Sequence, residues 1–233
     1  MNHLKDYLKE ALTPLYEEAW GNCAFVSREI GLYILQWGRN FQKNKHEGIL
    51  FVGKAPNLRT SKNPYKNKGL EALKSFGEED LRWLKNRDTK KSAYLRVVCK
   101  ICKELYKEDE WYSRVAATNL YKIAPLKADF PNTTLLKAQK TIAKEIFLKE
   151  LNILSPKYVI MFSSELEKSG FLYDFQNNGN HTTAESSEKW GENNKYETKV
   201  YKIHDTIFIT SPHPQGKNEN THINIIVKLL KNY

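Results

Sequence analysis

The chain has 233 residues, 40% of them hydrophobic and 12% aromatic, which is enough apolar surface for one large folded domain and too much for a disordered segment. Lys and Arg total 37 against 27 Asp and Glu, a formal surplus of 10. Both a phosphate-bearing partner and a plain solvated lysine-rich surface fit that charge. No stretch reaches the ~18 apolar residues of a membrane span, and Asp6, Glu10, Glu17 and Glu18 interrupt the N-terminal apolar positions as a secretory signal does not.

In chain order, Leu4, Tyr7, Leu8, Leu12 and Leu15 recur at helical spacing, and Thr13-Pro14 inside the pattern predicts a break or a second helix start. Residues 24–37 (AFVSREIGLYILQW) read as a further, more buried helix. GILFVG (48–53) is a short apolar run with the composition of a buried strand, and a long polar loop follows it through Asn63-Pro64-Tyr65. Leu95, Val98, Cys102 and Leu105 fall three or four apart, predicting a helix over 93–106, and SRVAAT (113–118) is the next strand. Residues 136–154 give the clearest helix, ended by Ser155-Pro156 before the strand YVIMF (158–162).

A helix over 164–175 is expected after Ser163 or Ser164, and the polar stretch 176–199 reads as an exposed insertion or mobile loop. VYKI and TIFIT, separated by His204-Asp205, form a hairpin or two short strands, and Ile223, Ile226, Val227 and Leu230 mark a last amphipathic helix. Short apolar strands alternating with helices predict an α/β fold, one domain over 1–233 with a mainly parallel sheet covered on both faces.

Cys23, Cys99 and Cys102 are an odd set that predicts free thiols in a reducing, cytoplasmic setting. Cys99 and Cys102 lie inside a helical pattern, where packing outweighs redox chemistry. His46, His181, His204 and His222 show no metal-ligand spacing, so neither metal nor other cofactor is expected.

Three loops leave strands with unusual chemistry: GKAPN (53–57), TNLYK (118–122) and SPHPQG (211–216). Ligands of parallel sheets bind beyond the carboxyl ends of the strands. Gly53 permits close backbone approach and Pro56 stiffens the turn, although an ordinary strand–helix turn has the same composition. The amide of Asn119 can donate and accept together, as reading a base edge requires, or can cap a helix. His213 stands between Pro212 and Pro214, which restrict its backbone on both sides.

The ordered set GxAP, TNLxK and a strand ending in His-Pro resembles the uracil-DNA glycosylase superfamily, over most of the chain. The resemblance implies a three-layer α/β/α fold with a central four-stranded parallel sheet, and a monomer that binds DNA, single strands included. It implies a pocket lined by Gly53, Lys54, Ala55, Pro56 and Pro214 that takes a flipped base. Asn119 would bind the uracil edge and His213 would donate a hydrogen bond to uracil O2 as the base departs with negative charge. Tyr65, Phe76 and Tyr121 are candidates for an aromatic wall. Ala55 stands where many members carry Asp or Asn to orient water, a role that leaves Asn57, or Asp80, as the catalytic candidate. One branch of the family holds an iron-sulfur cluster on four cysteines, one more than this chain has. A binding module without catalysis and a hydrolase of small nucleosides or nucleotides are the alternative functions.

Overall fold

Apolar runs of four or five residues form the inner strands, and stripes recurring every three or four residues form the long helices. The computed structural model describes residues 2–41, 48–58, 69–75, 81–85, 92–128, 130–163 and 183–233. The fold is α/β, and it divides into two compact units, each taken by itself: Met1–Gln36, Gly53–Glu79 and Ala117–Leu154 in the first, Trp37–Val52, Asp80–Ala116 and Ser155–Tyr233 in the second.

In the first unit, helix α1 (Asn2–Val26) packs on helix α3 (Thr133–Leu154). Leu8, Leu12, Tyr16, Ala19 and Cys23 form the buried stripe of α1. The break expected at Thr13-Pro14 does not occur: Pro14 lies within the helix on its exposed side. An interior proline costs a helix about 3 kcal/mol, which burial of that stripe offsets. Asn132 caps α3, its Oδ1 accepting from Leu135 N at 2.9 Å.

The helix expected over 24–37 is absent. After α1 ends at Val26, strand β1 (Ile30–Leu32) pairs antiparallel with β5 (Ile123–Pro125). Ile30, Leu32, Ile34 and Leu35 are all buried, so no polar face exists for a helix to turn to water. Packing is close at Gly31, where a Cβ would stand 2.7 Å from Leu58 Cδ1 and 2.9 Å from Leu126 Cδ2.

In the second unit, β3 (Ile49–Gly53), β6 (Tyr158–Met161) and β9 (Thr206–Thr210) run parallel in the register Phe51–Ile160–Ile209. The expected hairpin of VYKI and TIFIT is present, as β8 (Tyr196–Ile203) running antiparallel to β9, but the polar stretch expected to be a loop also supplies strand: β7 (Ser186–Trp190) and the first half of β8, with β7 and β8 forming a second antiparallel hairpin. With β2 (Gln36–Trp37) and β4 (Val115–Asn119), the sheet order is β2-β4-β3-β6-β9-β8-β7. It is a mixed sheet of seven strands rather than four. Buried Trp190, Thr198 and Val200 anchor the hairpin, while its outward polar residues give it the composition of a loop. Residues 164–182, including the expected helix 164–175, lie outside the described residues.

Helix α2 (Ala93–Tyr106) packs against α4 (Glu219–Asn232). Val97, Val98, Cys99, Ile101 and Cys102 are the buried face of α2. Arg96 and Glu219 join the two helices by a two-pronged ion pair, with Arg96 Nε 3.1 Å from Glu219 Oε1.

Candidate functional site

In the first unit, Gly53 closes β3 and Asn119 closes β4. Leu120 N donates to Gly53 O at 2.9 Å and Tyr121 N to Lys54 O at 3.0 Å, so the two loops leave their strands side by side. A Cβ on Gly53 would collide with Asn119 Oδ1; the Asn119 amide thus lies on the space the glycine leaves open. Asn119 is only 8% exposed.

Around Asn119, Lys54 is half-buried with its ammonium 5.1 Å from the ring of Phe130. Pro56 is buried, Ala55 half-buried and Asn57 exposed. Tyr121 is 2% exposed, a core residue rather than an open wall. Tyr65, Phe76 and Asp80 lie outside the described residues.

Sequence reasoning missed what holds Asn119 in place. Lys122, in the same loop, is fully buried with Glu150 of α3, Nζ to Oε2 2.7 Å. Lys122 Nζ also donates to Thr118 Oγ1 at 2.7 Å, Thr118 donates to Glu150 Oε2 at 2.9 Å, and Tyr16 of α1 donates to Glu150 Oε1 at 2.8 Å. Tyr16 in turn accepts from Leu35 N at 3.1 Å. Burial pulls the Lys122 ammonium below its ordinary value, against the opposing pull of Glu150, and pushes the Tyr16 phenol well above its own. Buried Gln139 accepts from the backbone amides of Lys122 and Ile123, both at 3.0 Å, and donates to Ile123 O at 2.8 Å. The loop is thus clamped before Asn119 at Thr118 and after it at Lys122. The available signal was Glu150 amid the apolar stripe Ile146, Phe147, Leu151 and Leu154.

In the second unit, SPHPQG follows β9 directly. Ser211 N donates to Met161 O at 2.8 Å, and its buried hydroxyl lies 2.7 Å from both Thr198 Oγ1 and His222 Nε2. Trp190 Nε1 donates to Thr198 Oγ1 at 3.0 Å. His222 sits between Trp190 and Phe162 with Nδ1 buried and unmatched among the described residues. Its pKa falls to about 4, first through burial, then through the charges of Lys217 and His213. The sequence predicts no ligand role for His222; the structure makes it an anchor of the loop that carries His213.

His213 itself is exposed and lies nearly parallel to Tyr94, ring centroids 6.3 Å apart and planes at 17°. Gln215 N donates to His213 Nδ1 at 3.2 Å, so the neutral ring carries its proton on Nε2. Partial loss of water against neighbouring atoms, and then the Lys217 ammonium, lower its pKa. At neutral pH it is therefore an uncharged donor through Nε2. Pro214 is buried and Gly216 takes φ 72, in the left-handed region where glycine is unstrained.

Among the described residues no group of three His, Cys, Asp or Glu is placed to hold a metal ion, and no helix is long and apolar enough to cross a membrane. The chain matches no protein-family model and no curated protein.

Proposed function

We propose that the protein binds DNA and hydrolyses the N-glycosidic bond of uracil or another damaged base. The observation that carries this reading is the Asn119 amide, almost wholly buried at a strand end with its Oδ1 on the open side of Gly53. A carboxamide held this way reads a pyrimidine edge, donating to a carbonyl and accepting from an N–H. His213, neutral with Nε2 as donor, supplies what the departing base needs, since bond cleavage leaves charge on the base oxygen and a neutral donor stabilises it without itself releasing a proton. Gly53 to Pro56 form the floor of the base pocket, and Asn57 positions the attacking water. The three-layer arrangement of the uracil-DNA glycosylases and a cytoplasmic, monomeric protein belong to the same reading, as does the surplus of 10 positive charges toward a phosphate backbone.

A second reading has its own support. Ala55 stands in the first loop where a water-orienting acid or amide is expected, which suits a module that binds a base without releasing it. Incubation with uracil-containing single- and double-stranded oligonucleotides, followed by detection of abasic sites, decides between them. Base release above that of His213→Ala supports the hydrolase; salt-dependent binding without release supports the module; oligonucleotide affinity near zero, with cleavage of free nucleosides, replaces both.

A further inference from the structure

The hairpin β7–β8 ends beside a second feature of the His213 loop that the base-binding roles leave unused. Gly191, at φ 80, opens the turn, and a Cβ there would stand 2.5 Å from Tyr196 Cδ2. The ring of Tyr196 thus rests on the glycine backbone on one side and on Trp190 on another, centroids 4.9 Å apart. Two ammoniums converge on this fixed ring: Lys217 Nζ at 4.9 Å from its centroid and Lys195 Nζ at 5.8 Å. Lys217 follows His213 by four residues and also donates to Gln215 O at 3.3 Å.

Neither ammonium has a carboxylate partner among the described residues. The nearby acids are engaged elsewhere: Glu219 with Arg96 and Lys100, Glu197 with Lys199, Glu188 with Lys228. Glu192, at the hairpin turn, pairs with neither lysine. Burial and then repulsion from Lys195 pull Lys217 below its ordinary value. Two like charges held near one ring without a counter-charge form a site that an anion completes.

We propose that Lys195 and Lys217, gathered on Tyr196, clamp a backbone phosphodiester of single-stranded DNA beside the His213 loop. The inference rests on the nucleic-acid reading above. A single strand is favoured because Gln215-Gly216 follow Pro214 with no large apolar side chain to wedge into a duplex, and because single-strand sites combine cations with an aromatic ring.

The test is fluorescence anisotropy of a uracil-free single-stranded oligonucleotide over a salt series, with the full chain and its Lys195→Ala/Lys217→Ala variant. Affinity should fall about tenfold, and the slope of log affinity against log salt should shrink by about 0.7 for each phosphate that is no longer neutralised. Lys199→Ala/Lys228→Ala removes the same charge from paired lysines of the same unit and should change affinity less than about twofold. Thermal melting checks that both variants fold, and a charge-keeping Lys195→Arg/Lys217→Arg variant should restore binding. Equal weakening by the two Ala variants, an unchanged slope, or no binding by the native chain overturns the clamp. Competition by inorganic phosphate or a mononucleotide as strong as by the oligonucleotide overturns it in favour of a small-anion site. Since the probe contains no uracil, absence of base release leaves this result standing, and the two readings fail separately.

Discussion

The side chain of Asn119 occupies the space above Gly53, so that a single methyl on Gly53 would collide with Asn119 Oδ1. Gly53→Ala therefore acts on the amide: the carboxamide must rotate or shift, because the obstructing atom is the end of a short side chain. Stability should change by less than about 1 kcal/mol, while oligonucleotide cleavage or binding falls at least tenfold, toward the level of Asn119→Ala. Denaturant midpoints alongside activity measure the two effects separately.

Lys122 and Glu150 form a fully buried pair, and removing one member leaves the other charged in the core. Glu150→Gln should cost about 3–5 kcal/mol, and Lys122→Met/Glu150→Leu much less than the sum of its single changes. Urea unfolding of the three variants reads this coupling. Near-additivity would remove the network as the clamp on Asn119.

The strand-end placement of Gly53, Asn119 and Ser211 was legible because short apolar runs announce buried strands, and helices α2, α3 and α4 because their apolar spacing is regular. Residues 24–37 misled because Ile30, Leu32, Ile34 and Leu35 are all buried, which erases the polar face that separates helix from strand. Pro14 misled because tertiary packing of α1 outweighs a local break. VYKI was legible as strand, whereas β7 and the first half of β8 were hidden by polar residues on their outer positions, their hold on the sheet resting on Trp190, Thr198 and Val200. Among the strand-end loops, Asn119 and His213 stood out by position, whereas the supporting Lys122, Glu150 and Gln139 did not: nothing local marks a polar side chain as buried until its distant partner is known.

His222 has a folded pKa of about 4 against an ordinary 6.5. Between those values the unfolded chain binds the extra proton, so the stabilising contribution is complete above about 6.5 and is lost as pH falls toward 4. The loss should approach about 3 kcal/mol, and His213, also lowered, adds in the same direction. Urea midpoints at pH 7 and pH 4.5 measure it, and His222→Gln should flatten the dependence.

Burial pushes the Cys23 thiol up to about 12 and the Cys102 thiol well above its ordinary value, and all three cysteines are buried. A disulfide-exchange reagent at pH 8 should leave the native chain unmodified over minutes and label three thiols once the chain is unfolded. Rapid labelling of the native chain would contradict this burial.

The central claim is that Asn119 reads a base whose departure His213 assists. Its most direct test is single-turnover release of uracil from a single-stranded oligonucleotide at pH 7.5 by the native chain, Asn119→Ala and His213→Ala. The account predicts measurable release by the native chain and a loss of about 100-fold or more in each variant; no release by the native chain, or release equal in all three, contradicts it.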